Sequence, residues 1–328
     1  MPPRFSVVVP TYNRAASYLP QAIACVLRQS CADFELIISD NGSADGTEQY
    51  GRSLDDARIR YVRRSPTMPA GRHFATAMAE AAGEFIVLHQ DDDLLHKDFL
   101  ARADEALRVH PQAHMYAAPI WRQQHGHGWM ARAMRPRDGH DDVALAGDDL
   151  FVFGGDYAAI QFFDPIRHFV HPTLAIRRQA LVAVGGFDPG ADYQSDLITQ
   201  ARVLLGNQLL YDPRPGGVSR VHPTNFMRQQ GRGFRKRFFR NSYVELIAVF
   251  EKAGADWQVL LDEYLSRLSE KDVIACLHEW TYYRAPRPLR EIGFAALRRH
   301  CGSARRYRRQ CLSKLGPRNL LRHALTRN

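Results

Sequence analysis

The sequence predicts an α/β protein, with a mostly parallel sheet flanked by helices and a helical extension at the C-terminal end. Three observations carry this prediction. Short apolar runs alternate with helix-like stretches through the first half. Three of those runs end in polar, turn-forming sequence. From Phe238 onward, apolar residues recur at spacings of three and four.

The first element is FSVVV (5–9), a short apolar run suited to a strand covered on both faces. A helical segment around Ala22–Arg28 follows, then the strand FELIIS (34–39), a strand at Ile59–Val62, a helix over Arg72–Ala82, and the strand FIVL (85–88). Trp121–Phe163 is rich in Gly, His and Asp with little periodicity, which predicts a loop-dominated insertion that covers or shapes an acceptor site. NSYVELIAVFEKAG and WQVLLDEYLSRLSEKDVIACLHEW are helical patterns, and Pro286 and Pro288 punctuate the chain before an arginine-rich end. The expected division is a sheet domain over 1–226 and a basic helical extension over 227–328.

With 328 residues, 45% of them hydrophobic and 24% charged, the chain reads as soluble and globular. No run approaches the roughly 20 apolar residues that cross a bilayer, and MPPRFSVVVP enters a strand without a signal-like apolar core, so a cytoplasmic location is expected. Five scattered cysteines without a CxxC pair argue against a disulfide framework or a zinc site. Arg284–Asn328 holds thirteen basic residues against one acid, Glu291; with the total at +9, residues 1–283 carry a net −3.

In open parallel sheets, ligands bind beyond the carboxyl ends of the strands, and three stretches lie there. FIVLHQDDDLL (85–95) places three aspartates at the end of an apolar run. Clustered carboxylates repel one another and need solvent or a cation. The cluster is therefore either an Asp-rich turn before a helix or a metal site. PTYNR (10–14) ends its strand at a proline and offers hydroxyls, a ring and an amide. SDNGSADGT (39–47) puts Asp40 at a strand end, ahead of Asn-Gly and Asp-Gly turns.

Taken together and in this order, PTYNR, SDNGSADGT and GEFIVLHQDDDLL resemble the N-terminal half of family 2 glycosyltransferases, which have the GT-A fold and read there approximately as PTYNR, DDGSxDGT and GEYIxFLDxDD. The resemblance covers about residues 4–225. It implies a nucleotide-sugar pocket lined by Pro10, Thr11, Tyr12 and Arg14, with Asp40 on the base and Asp91 on the sugar nucleotide. It also implies a divalent metal, Mn²⁺ or Mg²⁺, on the donor diphosphate. An ungapped match puts Gln90 where the family's first aspartate stands and Asp92 and Asp93 on its final pair. Asp92 is then the favoured direct ligand, with Asp93 and His222, in SRVHPTN, also assigned to the metal. Asp91 or Asp93 would contact the ribose or a metal-bound water.

The family's general base stands in an acidic pair at a helix start after Gly-Gly-Phe-Asp. Here VGGFDPGADYQSDLITQARVLL (184–205) puts Asp196 on the base and Arg202 on the helix arginine, with Ser195 in place of the usual glutamate and Asp192 as the alternative base. A helix-capping role for Ser195 or Asp196 is the plainer reading. His171, in FVHPTLAIRR, lies before a strand-like segment on the acceptor side. The implied reaction is inverting transfer from a nucleoside diphosphate sugar, a UDP-sugar ranking first, to a glycan or lipid-linked acceptor in cell-surface polysaccharide synthesis. The alternatives are an inactive nucleotide- or membrane-binding scaffold and a sugar-phosphate nucleotidyltransferase, though PTYNR is unlike the latter's glycine-rich opening.

MRQQGRGFRKRFFR (227–240) has six basic residues, no acid and three phenylalanines. It and the tail are read as a solvated helical face, a contact for an anionic membrane at the inner face of the plasma membrane, or, least, a nucleic-acid surface without any recognised module.

Overall fold

The computed structural model describes residues 2–124, 127–130, 143–146, 150–164, 172–187, 195–303 and 306–307. The chain runs β1 (Phe5–Thr11), α1 (Leu19–Leu27), β2 (Phe34–Asp40), α2 (Thr47–Ser53), β3 (Ile59–Arg63), α3 (Ala70–Ala79), β4 (Phe85–Leu88), β5 (Leu94–Leu95) and α4 (Phe99–Val109). Next come β6 (Met115–Ala117), β7 (Ile120–Gln124), β8 (His127–Met130), β9 (Val143–Ala146), β10 (Leu150–Gly154), α5 (Gly155–Ile160), a short 3-10 turn (Gln161–Phe163), β11 (Leu174–Arg177) and α6 (Arg178–Ala183). The remainder is α7 (Ser195–Leu204), β12 (Gln208–Tyr211), β13 (Gly217–Arg220), α8 (Phe226–Gln229), α9 (Arg232–Lys252), α10 (Trp257–Ser266), α11 (Glu270–Tyr282) and α12 (Arg287–Cys301).

Among the described residues the main sheet has the order β3-β2-β1-β4-β11-β6-β12-β10-β9. Its first four strands are mutually parallel, with Phe5 opposite Phe34 on one side and Phe85 on the other. β11 pairs antiparallel with β4 and β6, and β12 runs parallel to β6. A smaller sheet has the order β5-β13-β7-β8. The strand order reverses about β1, whose neighbours are β2 and β4, so the crevice beyond their carboxyl ends is where such a sheet binds ligands.

β1 is buried at every position because helices cover both faces of the sheet. Phe5, Val7, Val9, Leu36, Phe85 and Val87 pack with Leu19, Ile23 and Val26 of α1 and with Phe99, Leu100 and Leu107 of α4. The turn after β2 needs Gly42, at φ 75 with Arg64 O only 2.9 Å from where a Cβ would stand.

The described part of 121–163 differs from the expected loop, for it holds most of β7, all of β8, β9 and β10, α5 and the 3-10 turn. Each strand is four or five residues long, too short to print a clear alternation in sequence.

The chain divides into two compact units, Met1–Gly155 with Phe169–Pro223, and Asp156–His168 with Thr224–Asn328. Within the second, Trp280 is fully buried and donates its indole N–H to Phe163 O at 2.8 Å, and Tyr264 donates to Asp164 at 2.9 Å. Ser269 caps α11 by accepting Asp272 N–H, and Asp256 caps α10. Among the described residues no helix is long and apolar enough to cross a membrane.

Candidate functional site

Beyond Thr11 the chain turns through Tyr12, Asn13 and Arg14. Asn13 sits at φ 55, a left-handed conformation that asparagine tolerates better than most residues. Two bonds hold it: its N–H donates to Ser43 Oγ at 2.9 Å, and its Oδ1 accepts the Ala44 N–H at 2.9 Å. The N–H groups of Arg14 and Ala15 donate to Thr47 Oγ1 and Asp45 Oδ2, at 3.3 and 3.2 Å. The loops after β1 and β2 are thus laced into one wall, from which Tyr12 projects 49% exposed.

Asp40 lies inside that wall. Fully buried, its carboxylate accepts the N–H and hydroxyl of Ser43, at 2.9 and 2.6 Å, and the phenol of Tyr61 at 2.6 Å. The bonds that compensate its burial are supplied by its own chain, and they fix the rim at which the resemblance expects Asp40 to meet the base.

The acidic triplet follows β4. His89 at its start is fully buried, and burial, with the Arg220 charge nearby, pushes its imidazole down to about 3, so it is neutral. The three aspartates then part company. Asp93 is 4% exposed and accepts the Arg220 N–H at 2.9 Å, tying the triplet to β13. Burial and the charge of Asp92 push the carboxyl of Asp93 well up. Asp91 faces the PTYNR turn, with Arg14 Nε 3.9 Å away. Burial and Asp92 raise it to about 7, against the opposing pull of the Thr11 hydroxyl, Arg14 and the Tyr12 N–H. Asp92 turns the other way, its Oδ2 3.0 Å from His222 Nε2.

His222 is held on its other side by Tyr18, the two rings stacked with centroids 4.2 Å apart. Burial, only partly offset by Asp92, lowers the His222 imidazole below its ordinary value, leaving it neutral at pH 7. Arg220 completes the group: its guanidinium lies 4.7 Å over the Tyr18 ring and bonds to the Asp92 carbonyl and to Gln21. Sequence reasoning missed Tyr18, Gln21 and Arg220. Arg220 stands two residues before His222, on the face of β13 that an alternation argument could have read.

Asp196 lies in the first turn of α7, accepting the Leu197 N–H at 2.7 Å. Burial raises its carboxyl to about 6, against the pull of two backbone N–H groups. Arg202 lies in the last turn of the same helix. Asp192 and His171 lie outside the described residues.

Of the expected metal ligands, Asp92 and His222 converge, while one carboxylate oxygen of Asp93 accepts an N–H of β13. Among the described residues no three His, Cys, Asp or Glu side chains form a metal-binding group. A two-ligand set suits a divalent ion that completes its shell with diphosphate oxygens and water. Burial is the first cause that raises the Asp91 carboxyl, and the second, the charge of Asp92, is one that such an ion would relieve. The residues present therefore fit a cation shared with the substrate.

The family model of glycosyl transferase family 2 matches residues 6–184, more than half of the chain. A GalNAc(5)-diNAcBac-PP-undecaprenol beta-1,3-glucosyltransferase of Campylobacter jejuni is 35% identical over 96 residues, 28% of this chain and 31% of that protein. Abequosyltransferase RfbV of Salmonella typhimurium is 31% identical over 156 residues, 46% of this chain and 44% of its own length. These matches span less than half of either relative. Among solved structures, Staphylococcus aureus TarS 1-349 in complex with UDP-GlcNAc superposes with a TM-score of 0.55 at 15% identity, over 92% of both chains. The mannosyltransferase PcManGT from Pyrobaculum calidifontis, in complex with GDP-Man and Mn²⁺, gives 0.53 at 20% identity, over 92% of this chain and 87% of its own. At such identities the likeness is one of fold.

Proposed function

The chain belongs to glycosyl transferase family 2, and from that premise we propose that it moves a sugar from a nucleoside diphosphate sugar to a glycan or lipid-linked acceptor in cell-surface polysaccharide synthesis. One observation carries the reading most: Asp91, Asp92 and His222, bracketed by Arg14 and Arg220, gather beyond the ends of β1 and β4 at the reversal of strand order. The undecaprenol-linked substrate in the name of one relative supports a lipid-linked acceptor. The UDP-GlcNAc complex of a structural neighbour supports a UDP-sugar as donor.

In this proposal Pro10, Thr11 and Tyr12 line the nucleotide pocket, and Asp40 holds its rim in shape through Ser43 and Tyr61. Asp92 and His222 would hold Mn²⁺ or Mg²⁺ on the diphosphate, where the ion supplies Lewis-acid stabilisation of the leaving group. Arg14 adds positive charge beside it.

Asp196 is proposed as general base. It takes the proton of the acceptor hydroxyl while that oxygen bonds to the anomeric carbon and the carbon's bond to the diphosphate oxygen breaks, inverting the centre. A carboxyl raised to about 6 is well matched to this role, being ionised at pH 7 yet more basic than an exposed aspartate.

Calorimetric titration with UDP, GDP, CMP and dTDP, each with Mn²⁺ and with EDTA, tests the reading. Metal-dependent binding of one nucleotide, lost in Asp92→Ala, is expected. No binding by a folded protein would sink it.

A further inference from the structure

Between the small sheet and α1 lies a groove that the proposed transfer reaction does not use. In the register of the sheet Leu94 of β5, Val218 of β13 and Trp121 of β7 stand side by side, so their side chains share one face. With Ala24 of α1 they line a groove of about 750 Å³, within the size range of small-molecule sites. Trp121 is 39% exposed there. Gln21 lines one end, and its side chain accepts a hydrogen bond from the guanidinium of Arg220, so the groove begins where the proposed donor site stops. Arg28 lines it too, seven residues further along the chain and so about 10 Å away along α1.

The polar groups of the floor are bonded already. The Leu95 N–H donates to Cys25 Sγ at 3.2 Å, and the Cys25 thiol donates to the Ala22 carbonyl at 3.0 Å, which ties α1 to β5. The His96 N–H donates to Gly216 O at 2.8 Å, and the His96 carbonyl accepts from Gln29 at 2.7 Å. A peptide strand or a sugar laid on this floor would give up hydrogen bonds to water that Ala24, Leu94 and Val218 cannot replace. A hydrocarbon chain gives up nothing and gains by leaving water. The charge at the lining has one sign: it includes no acid, Lys97 is paired with Asp98 at 2.6 Å, and Arg28 is exposed with no ion-pair partner among the described residues.

We infer that this groove binds an anionic amphiphile, its alkyl chain lying over Leu94, Val218 and Trp121 and its phosphate head meeting Arg28. A guanidinium suits that head because it can donate two parallel hydrogen bonds to a phosphate. A bilayer lipid and a free lipid phosphate share this chemistry. The site is built from the groove's own residues, and nothing in it depends on the transfer reaction.

Dodecyl phosphate below its micelle concentration is the probe, titrated calorimetrically into the full chain beside dodecanol and inorganic phosphate. Saturable binding of dodecyl phosphate is expected, with dodecanol at least about tenfold weaker, as befits the loss of a hydrogen bond to a charged group. Inorganic phosphate alone should not bind detectably. Arg28→Gln should weaken dodecyl phosphate about tenfold and leave dodecanol unchanged. Val218→Asp, which puts a carboxylate on the apolar face, should weaken both, and Arg108→Gln on α4 should change neither. Thermal melts confirm that each variant folds, and nucleotide titration reports independently on the donor site. Co-sedimentation with phosphatidylglycerol vesicles separates the sources: binding lost in Val218→Asp assigns the ligand to a bilayer lipid, and binding of dodecyl phosphate without binding of vesicles assigns it to a free lipid phosphate. No saturable binding of dodecyl phosphate, equal binding by Arg28→Gln and the parent, or a dimer of the full chain that Val218→Asp dissolves would each overturn the inference.

Discussion

His222 Nε2 lies 3.0 Å from Asp92 Oδ2, across 130 residues of sequence, with the His222 ring stacked on Tyr18. The pair brings a nitrogen and an oxygen together at the site. Asp92→Ala should abolish metal-dependent nucleotide binding. His222→Ala should weaken it by at least about tenfold, a loss of the size seen when groups around a bound metal are removed. Titration calorimetry in Mn²⁺ and in EDTA checks both, and unchanged affinity in either variant removes the pair from the donor site.

Asp196→Asn should keep donor affinity while turnover falls by about 10²–10⁴-fold, the usual contribution of a positioned base. The asparagine fills the same space and accepts the same Leu197 N–H, but it cannot take a proton. Steady-state rates beside nucleotide affinity separate the two effects. A variant that turns over normally would move the base elsewhere, with Asp192 as the first alternative.

The pH profile follows from the same residue. Burial raises the Asp196 carboxyl to about 6, and the ionised form is the working one. Activity should therefore be flat above about pH 6 and fall below it, approaching tenfold per pH unit. A profile that keeps rising through pH 8 would point to a different base.

Stability should run the opposite way. A carboxyl raised in the folded state holds its proton more tightly there than in the unfolded chain, so this group favours folding more as pH falls from about 6 towards its ordinary value near 3.8. At pH 7 the charge is present and unfavourable. Asp196→Asn should accordingly melt at or above the parent's temperature at pH 7, with the difference vanishing near pH 4. Thermal scans at the two pH values check the sign.

Tyr61→Phe removes one donor from the fully buried Asp40. The ring and its contact with Arg52, 5.5 Å above it, remain. The loss should cost about 1–3 kcal/mol, the penalty for a buried acceptor left short of a partner. Urea unfolding measures it. A neutral result would mean that water reaches Asp40 and that the rim is less closed than its burial indicates.

Much of this architecture was legible in the residues. FIVL is β4 to the residue, and FELIIS forms β2 with one residue added. The motif order placed Tyr12, Arg14 and the triplet at one end of the sheet, because a strand's direction and its terminal turn are written in adjacent residues. The stretch 121–163 was not legible. Its strands are too short to alternate audibly, and their pairing with β12 and β13 is what makes them strands.

Within the site the division is sharper. By itself the sequence determined that three carboxylates, a tyrosine and an arginine would meet at the strand ends, and which family they belong to. Only the tertiary structure decided which partner each carboxylate meets. Asp93 goes to an N–H of β13 that is 127 residues away, Asp40 to Tyr61 on the next strand, and Asp92 to His222. Neighbouring residues have the same chemistry and local sequence, so their roles separate only when long-range partners bury one, bond another and leave a third facing the crevice. Burial and partner geometry depend on the whole fold, and no local pattern encodes them.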